Sequence, residues 1–151
     1  MSFGKFSLVA VGSTISYVLG GFDTVLGVLL GFMALDYVTG VLCAVMGKSK
    51  HADGLSSYVG FHGIIKKVMI LLAVMVGFGI DQVLATGLAN AGQTLNIPIA
   101  RNLVVVFFLA NEGLSVLENI SLAGVPIPSF LKKLLETQRD NADQGIAEGK
   151  T

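Results

Sequence analysis

Asn111, Ser115, Glu118 and Asn119 recur at i, i+4, i+7 and i+8, with Glu112 beside Asn111. On a helix this spacing draws one polar stripe. The stripe runs through an apolar stretch of about residues 103–123, whose other side carries Val104, Val105, Phe107, Phe108, Leu114 and Leu117. An acid near the centre of a bilayer costs about 2.5–3.5 kcal/mol even on the gentler insertion scales. A chain sustains that cost where the acids meet water, a partner helix or an ion path. The stripe therefore reads either as the lining of a pore or cavity, or as helix-to-helix hydrogen bonding worth about 1 kcal/mol per bond.

Asp36 and Asp81 fall inside two further apolar stretches. The predicted spans thus hold Asp36, Asp81, Glu112 and Glu118 out of ten acids, and none of the ten Lys and Arg. That imbalance argues against ion pairs within the spans and leaves water, protonation or amides as partners. Asp36 has three readings: a pore lining, an acceptor for a neighbouring helix end, or a partner for Lys66 or Lys67 at the membrane boundary. Asp81 lies near one end of its span and reads as a cap at the exit.

The elements that must hold these groups follow from composition. The chain has 151 residues, of which 53% are hydrophobic and 13% charged. A soluble domain carries about 25% charged residues. Mean hydropathy is +0.76. Three stretches, about residues 24–47, 68–89 and 103–123, approach the roughly 20 residues that a helix needs to cross a bilayer. Backbone groups cannot stay unpaired in lipid, so all three are expected to be helical. The fold class is an all-α integral membrane protein, forming a single membrane domain over residues 1–135. Residues 3–21 are apolar but diluted by Ser7, Ser13, Thr14 and Ser16, and form an interfacial helix or a fourth span. Residues 136–151 are polar and mixed in charge, and read as a disordered cytoplasmic tail.

Lys48, Lys50, Lys66 and Lys67 lie in the loop between the first two spans, and Lys132, Lys133, Arg139 and Lys150 follow the third. Only Arg101 falls in the loop between the second and third. The positive-inside rule then places residues 48–67 and the C-terminus in the cytoplasm. Lys66, Lys67, Lys132 and Lys133 read as membrane-surface anchors. After Pro128, Ser129 can cap a short amphipathic helix with Phe130, Leu131, Leu134 and Leu135 toward lipid. Gly27 with Gly31, Gly40 with Ala44, and Ala73 with Gly77 are small-residue pairs that let helices approach closely.

Zero formal net charge argues against general nucleic-acid binding. Cys43 cannot form an intramolecular disulfide, and His51 and His62 lack companions with metal-ligand spacing. No nucleophile elbow, phosphate loop or zinc-helix motif occurs, so neither catalysis nor a cofactor or metal is expected.

Three segments carry a resemblance. They are Asp36-Tyr37-Val38-Thr39-Gly40; the stretch from Ser56-Ser57-Tyr58 through Lys66-Lys67; and Asn111-Glu112-Gly113-Leu114-Ser115-Val116-Leu117-Glu118-Asn119 with the following Gly124-Val125-Pro126-Ile127-Pro128 and Leu131-Lys132-Lys133. In order and approximate spacing, over about residues 24–136, this set resembles the toxin-secretion/phage-lysis holin family. The resemblance implies a protein of the bacterial cytoplasmic membrane that self-assembles and permeabilises it. Its partners would be the lipid bilayer, further copies of itself, and a cell-wall hydrolase or secreted toxin that escapes through the lesion. The rival expectation is a small ion-coupled transporter or proton-translocating subunit, with Glu112 or Asp36 as carrier.

Overall fold

The computed structural model describes residues 3–48, 57–94 and 97–137. Four helices follow in order: α1 (Phe3–Val18), α2 (Thr24–Val45), α3 (Ser57–Asn90) and α4 (Ile99–Ala123). A short helix, α5, covers 129–137. There is no strand among the described residues.

Three of these helices are long and apolar enough to cross a membrane. α1 has 16 residues, fewer than a perpendicular crossing needs. It leaves Leu8, Val9, Val11 and Ile15 exposed and touches the rest of the molecule chiefly at its C-terminal end, where Tyr17 meets Phe78 edge to face.

α4 is the centre of the bundle. It packs along both α2 and α3, which approach each other far less. Side-chain partners give the directions. Asp23, Asp36 and Lys48 lie beside Arg101, Asn119 and Ala123, so α2 and α4 run parallel. Lys67 lies beside Glu112 and Asp81 beside Arg101, so α3 runs antiparallel to both.

Each long helix turns a seam inward at alternating steps of three and four residues. In α2 it is Leu26, Leu29, Met33, Asp36, Gly40 and Cys43. In α3 it is Lys67, Ile70, Val74, Gly77 and Asp81, and in α4 Arg101, Val105, Phe108, Glu112, Ser115 and Asn119. This period keeps one line of side chains facing a neighbour along a left-handed crossing. Leu26, Leu29, Met33, Ile70, Val74 and Val105 form the buried core. Outside, Leu35, Val38, Leu42, Val76, Val83, Leu103, Val106 and Phe107 are exposed. So large an apolar exterior is unstable in water and suited to lipid.

Two expectations need correction. Residues 57–67 are not a loop, since α3 begins at Ser57 and has 34 residues. At about 1.5 Å per residue it is about 51 Å long, well beyond a hydrocarbon layer of about 30 Å. The glycines in its first turns do not break it, because Phe61, Ile64 and Ile65 offer apolar surface and a membrane-embedded backbone has no better alternative than helix. Ser129 does not cap α5. It is already helical, and the Pro128 carbonyl accepts from Leu131 and Lys132 at 3.0 and 3.2 Å. The tail from residue 138 onward lies outside the described residues, as do Lys50, His51, Arg139 and Lys150.

Candidate functional site

The seams carry polar residues at two levels. At the first level, Asp23 is the N-cap of α2, and its Oδ1 accepts from Leu26 N at 2.9 Å. Arg101, in the first turn of α4, donates Nη1 to Asp23 Oδ2 at 2.7 Å and Nη2 to Asp23 Oδ1 at 3.0 Å. Its Nε donates to Leu19 O at 2.7 Å and Nη2 also to Gly21 O at 3.2 Å. Asp81 of α3 accepts the backbone N–H groups of Ala100 and Arg101, both at 2.8 Å. A carboxylate there satisfies two orphan donors and opposes the helix dipole. Asp81 does cap a helix, but it is α4 rather than the end of its own.

Arg101 is fully buried, yet each of its nitrogens has an acceptor. One side chain thereby joins the α1–α2 turn to α4, while its own backbone is held by α3. The glycines make room. A Cβ at Gly20, where φ is +83°, would lie 2.8 Å from Arg101 Cδ. One at Gly77 would lie 2.9 Å from the Arg101 Cα. The hydrogen bonds from Arg101 hold the Asp23 carboxyl below the usual 3.8, against a smaller opposing effect of burial and with help from the Leu26 N–H.

The second level lies near the middle of the bundle. Lys67 Nζ donates to Asp36 Oδ2 at 2.9 Å and to Glu112 Oε2. Asn119 Nδ2 donates to Thr39 Oγ1 at 3.0 Å and to the Asp36 carbonyl and Oδ1, each at 3.3 Å. Cys43 Sγ donates to the Asn119 carbonyl at 3.0 Å. Glu112 is 0% exposed and Asn119 2%. Glu112 lies 13 residues from Ile99 and 11 from Ala123, about 20 and 16 Å along the axis. The cluster therefore sits close to mid-span.

This overturns the expectation that the span acids lack basic partners. Lys67 pairs with two of them. A Lys at the boundary of a 22-residue span becomes a Lys inside a longer helix once residues 57–67 are helical. Of the two candidates for Asp36 it is Lys67, not Lys66, that makes the pair; Lys66 is exposed. The readable signal was the seam itself, because Lys67 lies three residues before Ile70 on the same inward line.

The stripe on α4 divides. Glu112 and Asn119 turn into the bundle, whereas Asn111, Ser115 and Glu118 are half-buried. Glu118 borders a groove with Ser121, Leu122, Lys132, Leu135 and Glu136. Among the small residues, Gly77 meets α4, and Gly40 lies where a Cβ would come 3.7 Å from Asn119 Nδ2. Gly27, Ala44 and Ala73 are half-buried and Gly31 exposed. Lys132 and Lys133 are exposed on α5. Arg101 and Asp23 went unrecognised in the sequence, because a single Arg in a polar loop and an Asp in a Gly-rich turn are each unremarkable alone. Among the described residues no group of His, Cys, Asp and Glu is arranged to hold a metal ion.

The three segments that carry the resemblance meet in this second level: Asp36 and Thr39 from the first, Lys67 from the second, Glu112 and Asn119 from the third. Comparison with known proteins agrees. A bacteriophage holin family matches residues 13–140. An uncharacterized 14.9 kDa protein in the nagH 3' region of Clostridium perfringens is 36% identical over 132 residues, covering 87% of this chain and 89% of its own. An uncharacterized protein of Listeria monocytogenes is 35% identical, covering 87% and 83%. The uncharacterized protein YtkC of Bacillus subtilis is 30% identical, covering 91% and 92%. No solved structure matches. The match spans the three described helices long and apolar enough to cross a membrane as well as the residues of both polar levels, and the chain is a multi-pass membrane protein that belongs to the bacteriophage holin family.

Proposed function

We propose that copies of this protein gather in the bacterial cytoplasmic membrane and open a passage through which a cell-wall hydrolase or a toxin leaves the cell. The observation that carries this reading is the combination of a lipid-suited exterior with acidic, basic and amide side chains held at mid-span. Leu29, Val74, Val105 and Glu112 are 0% exposed, so no solvent-open path runs among α2, α3 and α4 of one chain. A conducting path therefore has to form between chains. The half-buried Asn111 and Glu118 of α4, with Ser115 at the edge of the seam, form the polar surface nearest to lipid, and that is the lining we assign. The basic residues flanking α2 and α4 favour a cytoplasmic C-terminus.

The test is induced expression in a bacterium, alone and with a cytosolic cell-wall hydrolase, following membrane potential and hydrolase release together. Abrupt depolarisation with escape of the hydrolase is expected. Depolarisation without escape reduces the reading to a narrow ion path. An intact potential despite confirmed insertion overturns it. The buried charge cluster also suits the rival of coupled ion transport, which predicts saturable, proton-driven flux from purified protein in vesicles.

A further inference from the structure

The mid-span cluster does not balance its charge. Asp36 from α2 and Glu112 from α4 share Lys67 of α3, the one basic group brought to either carboxylate among the described residues. Asn119 and Thr39 add hydrogen bonds on the Asp36 side but no charge. Two carboxylates around one ammonium leave one negative charge in excess. At this depth an unbalanced charge is among the costliest features a membrane protein can carry.

A second observation locates the imbalance. Oε2 of Glu112 accepts from Lys67, while Oε1 of the same carboxylate is fully enclosed and has no hydrogen-bond donor. Asp36 is different: both its oxygens have donors, and its side chain keeps 21% of its exposure. A water molecule beside Oε1 could satisfy its lone pairs but not its charge. Only a positive charge does both.

We propose that the Asp36–Lys67–Glu112 cluster binds one exchangeable monovalent cation, a proton or an alkali ion, at Glu112 Oε1. The proposal rests on the membrane-spanning reading of α2, α3 and α4 and not on permeabilisation. A multivalent metal does not suit the site, because its charge would overshoot the single excess negative charge and repel Lys67. Because the argument is one of charge balance, it predicts something that a local preference of Glu112 does not. Neutralising either acid leaves one carboxylate for one ammonium, so Asp36→Asn should release the cation as completely as Glu112→Gln.

The experiment uses the full chain in phosphatidylcholine vesicles at neutral pH and compares wild type with these two variants. If the cation is a proton, the infrared spectrum of the wild type contains the carbonyl stretch of one protonated carboxylic acid, shifting in D2O. That band appears in both wild-type-minus-variant difference spectra. If it is an alkali ion, the band is absent. Replacing sodium and potassium by N-methylglucamine then lowers the thermal midpoint of the wild type and leaves both variants unmoved. The wild-type measurements stand even if a variant fails to insert. Neither signal in the wild type overturns the proposal. So does a signal that persists in Asp36→Asn, which would show that charge balance does not set occupancy. None of these readouts depends on leakage, so a failure here is separable from a failure of the permeabilising function.

Discussion

Lys67 shows how a single residue can be costly and indispensable together. Moving an ammonium into the bundle costs several kcal/mol, and two carboxylates offset it. Removing only the ammonium leaves both acids stranded. Lys67→Met is therefore expected to destabilise the inserted protein by about 3–5 kcal/mol. Combining it with Asp36→Asn and Glu112→Gln should recover much of that loss. Denaturation in detergent micelles measures both, and equal stability of the single and triple variants would refute the pairing. Asp23 makes the complementary prediction for pH. Its folded pKa lies below its ordinary 3.8, so the unfolded chain binds its proton first as the medium acidifies. Its contribution to stability is present above about pH 4 and is lost as pH falls through the lower folded value. Asp23→Asn should lower stability at neutral pH and flatten the acid limb of a melting-temperature profile. An unchanged acid limb would assign that loss to other carboxylates.

The ends of the helices are where packing and capping act together. α4 begins against Asp81 rather than a cap of its own, since Pro98 at the cap position makes no side-chain hydrogen bond. Asp81→Ala is expected to cost about 0.5–2 kcal/mol, the usual loss for a cap, and to raise hydrogen exchange at Ala100 and Arg101 above that elsewhere in α4. Uniform exchange along the helix would refute the capping role. α4 ends at Gly124 with φ of +102° and with Val125 N donating to the Ile120 carbonyl at 3.2 Å. Lys48 adds a further bond to the Ala123 carbonyl at 3.0 Å, favourable at a helix C-terminus. Gly77→Val tests element packing. The added side chain meets the Arg101 backbone, which cannot move without leaving Asp81. Separation of α3 from α4 should then appear as reduced cross-linking between cysteines placed at positions 73 and 105. Retained cross-linking would show that α4 can shift to accommodate it.

For the whole molecule, the seams and the exterior define different tasks. The seams close one chain on itself, and the exterior leaves each copy free to diffuse in lipid. Under the proposed function, assembly into a passage depends on the number of copies in the membrane. Dye release from vesicles is expected to rise more steeply than linearly with protein density, and Glu118→Leu should reduce release without reducing insertion. Linear release would point to conduction by single chains, which the closed interior argues against. α1 is tied to the rest through the turn that follows it, where Leu19 and Gly21 accept from Arg101, and through Tyr17 against Phe78.

Much of this was legible without tertiary structure. The number of long apolar helices follows from the charge deficit and the roughly 20-residue scale of the bilayer, because lipid gives the backbone no other way to pair its polar groups. The polar residues of α4 stood out for the same reason, as did Asp36. The partners of those residues were not legible. A period of three and four places Lys67 and Arg101 on inward lines. Which line of one helix faces which line of another depends on how three helices pack at once, with Gly77 and Gly20 admitting the Arg101 backbone and side chain. Charge pairing at mid-span is set by that packing, because a salt bridge needs contact and contact between residues 36, 67 and 112 exists only in the folded bundle.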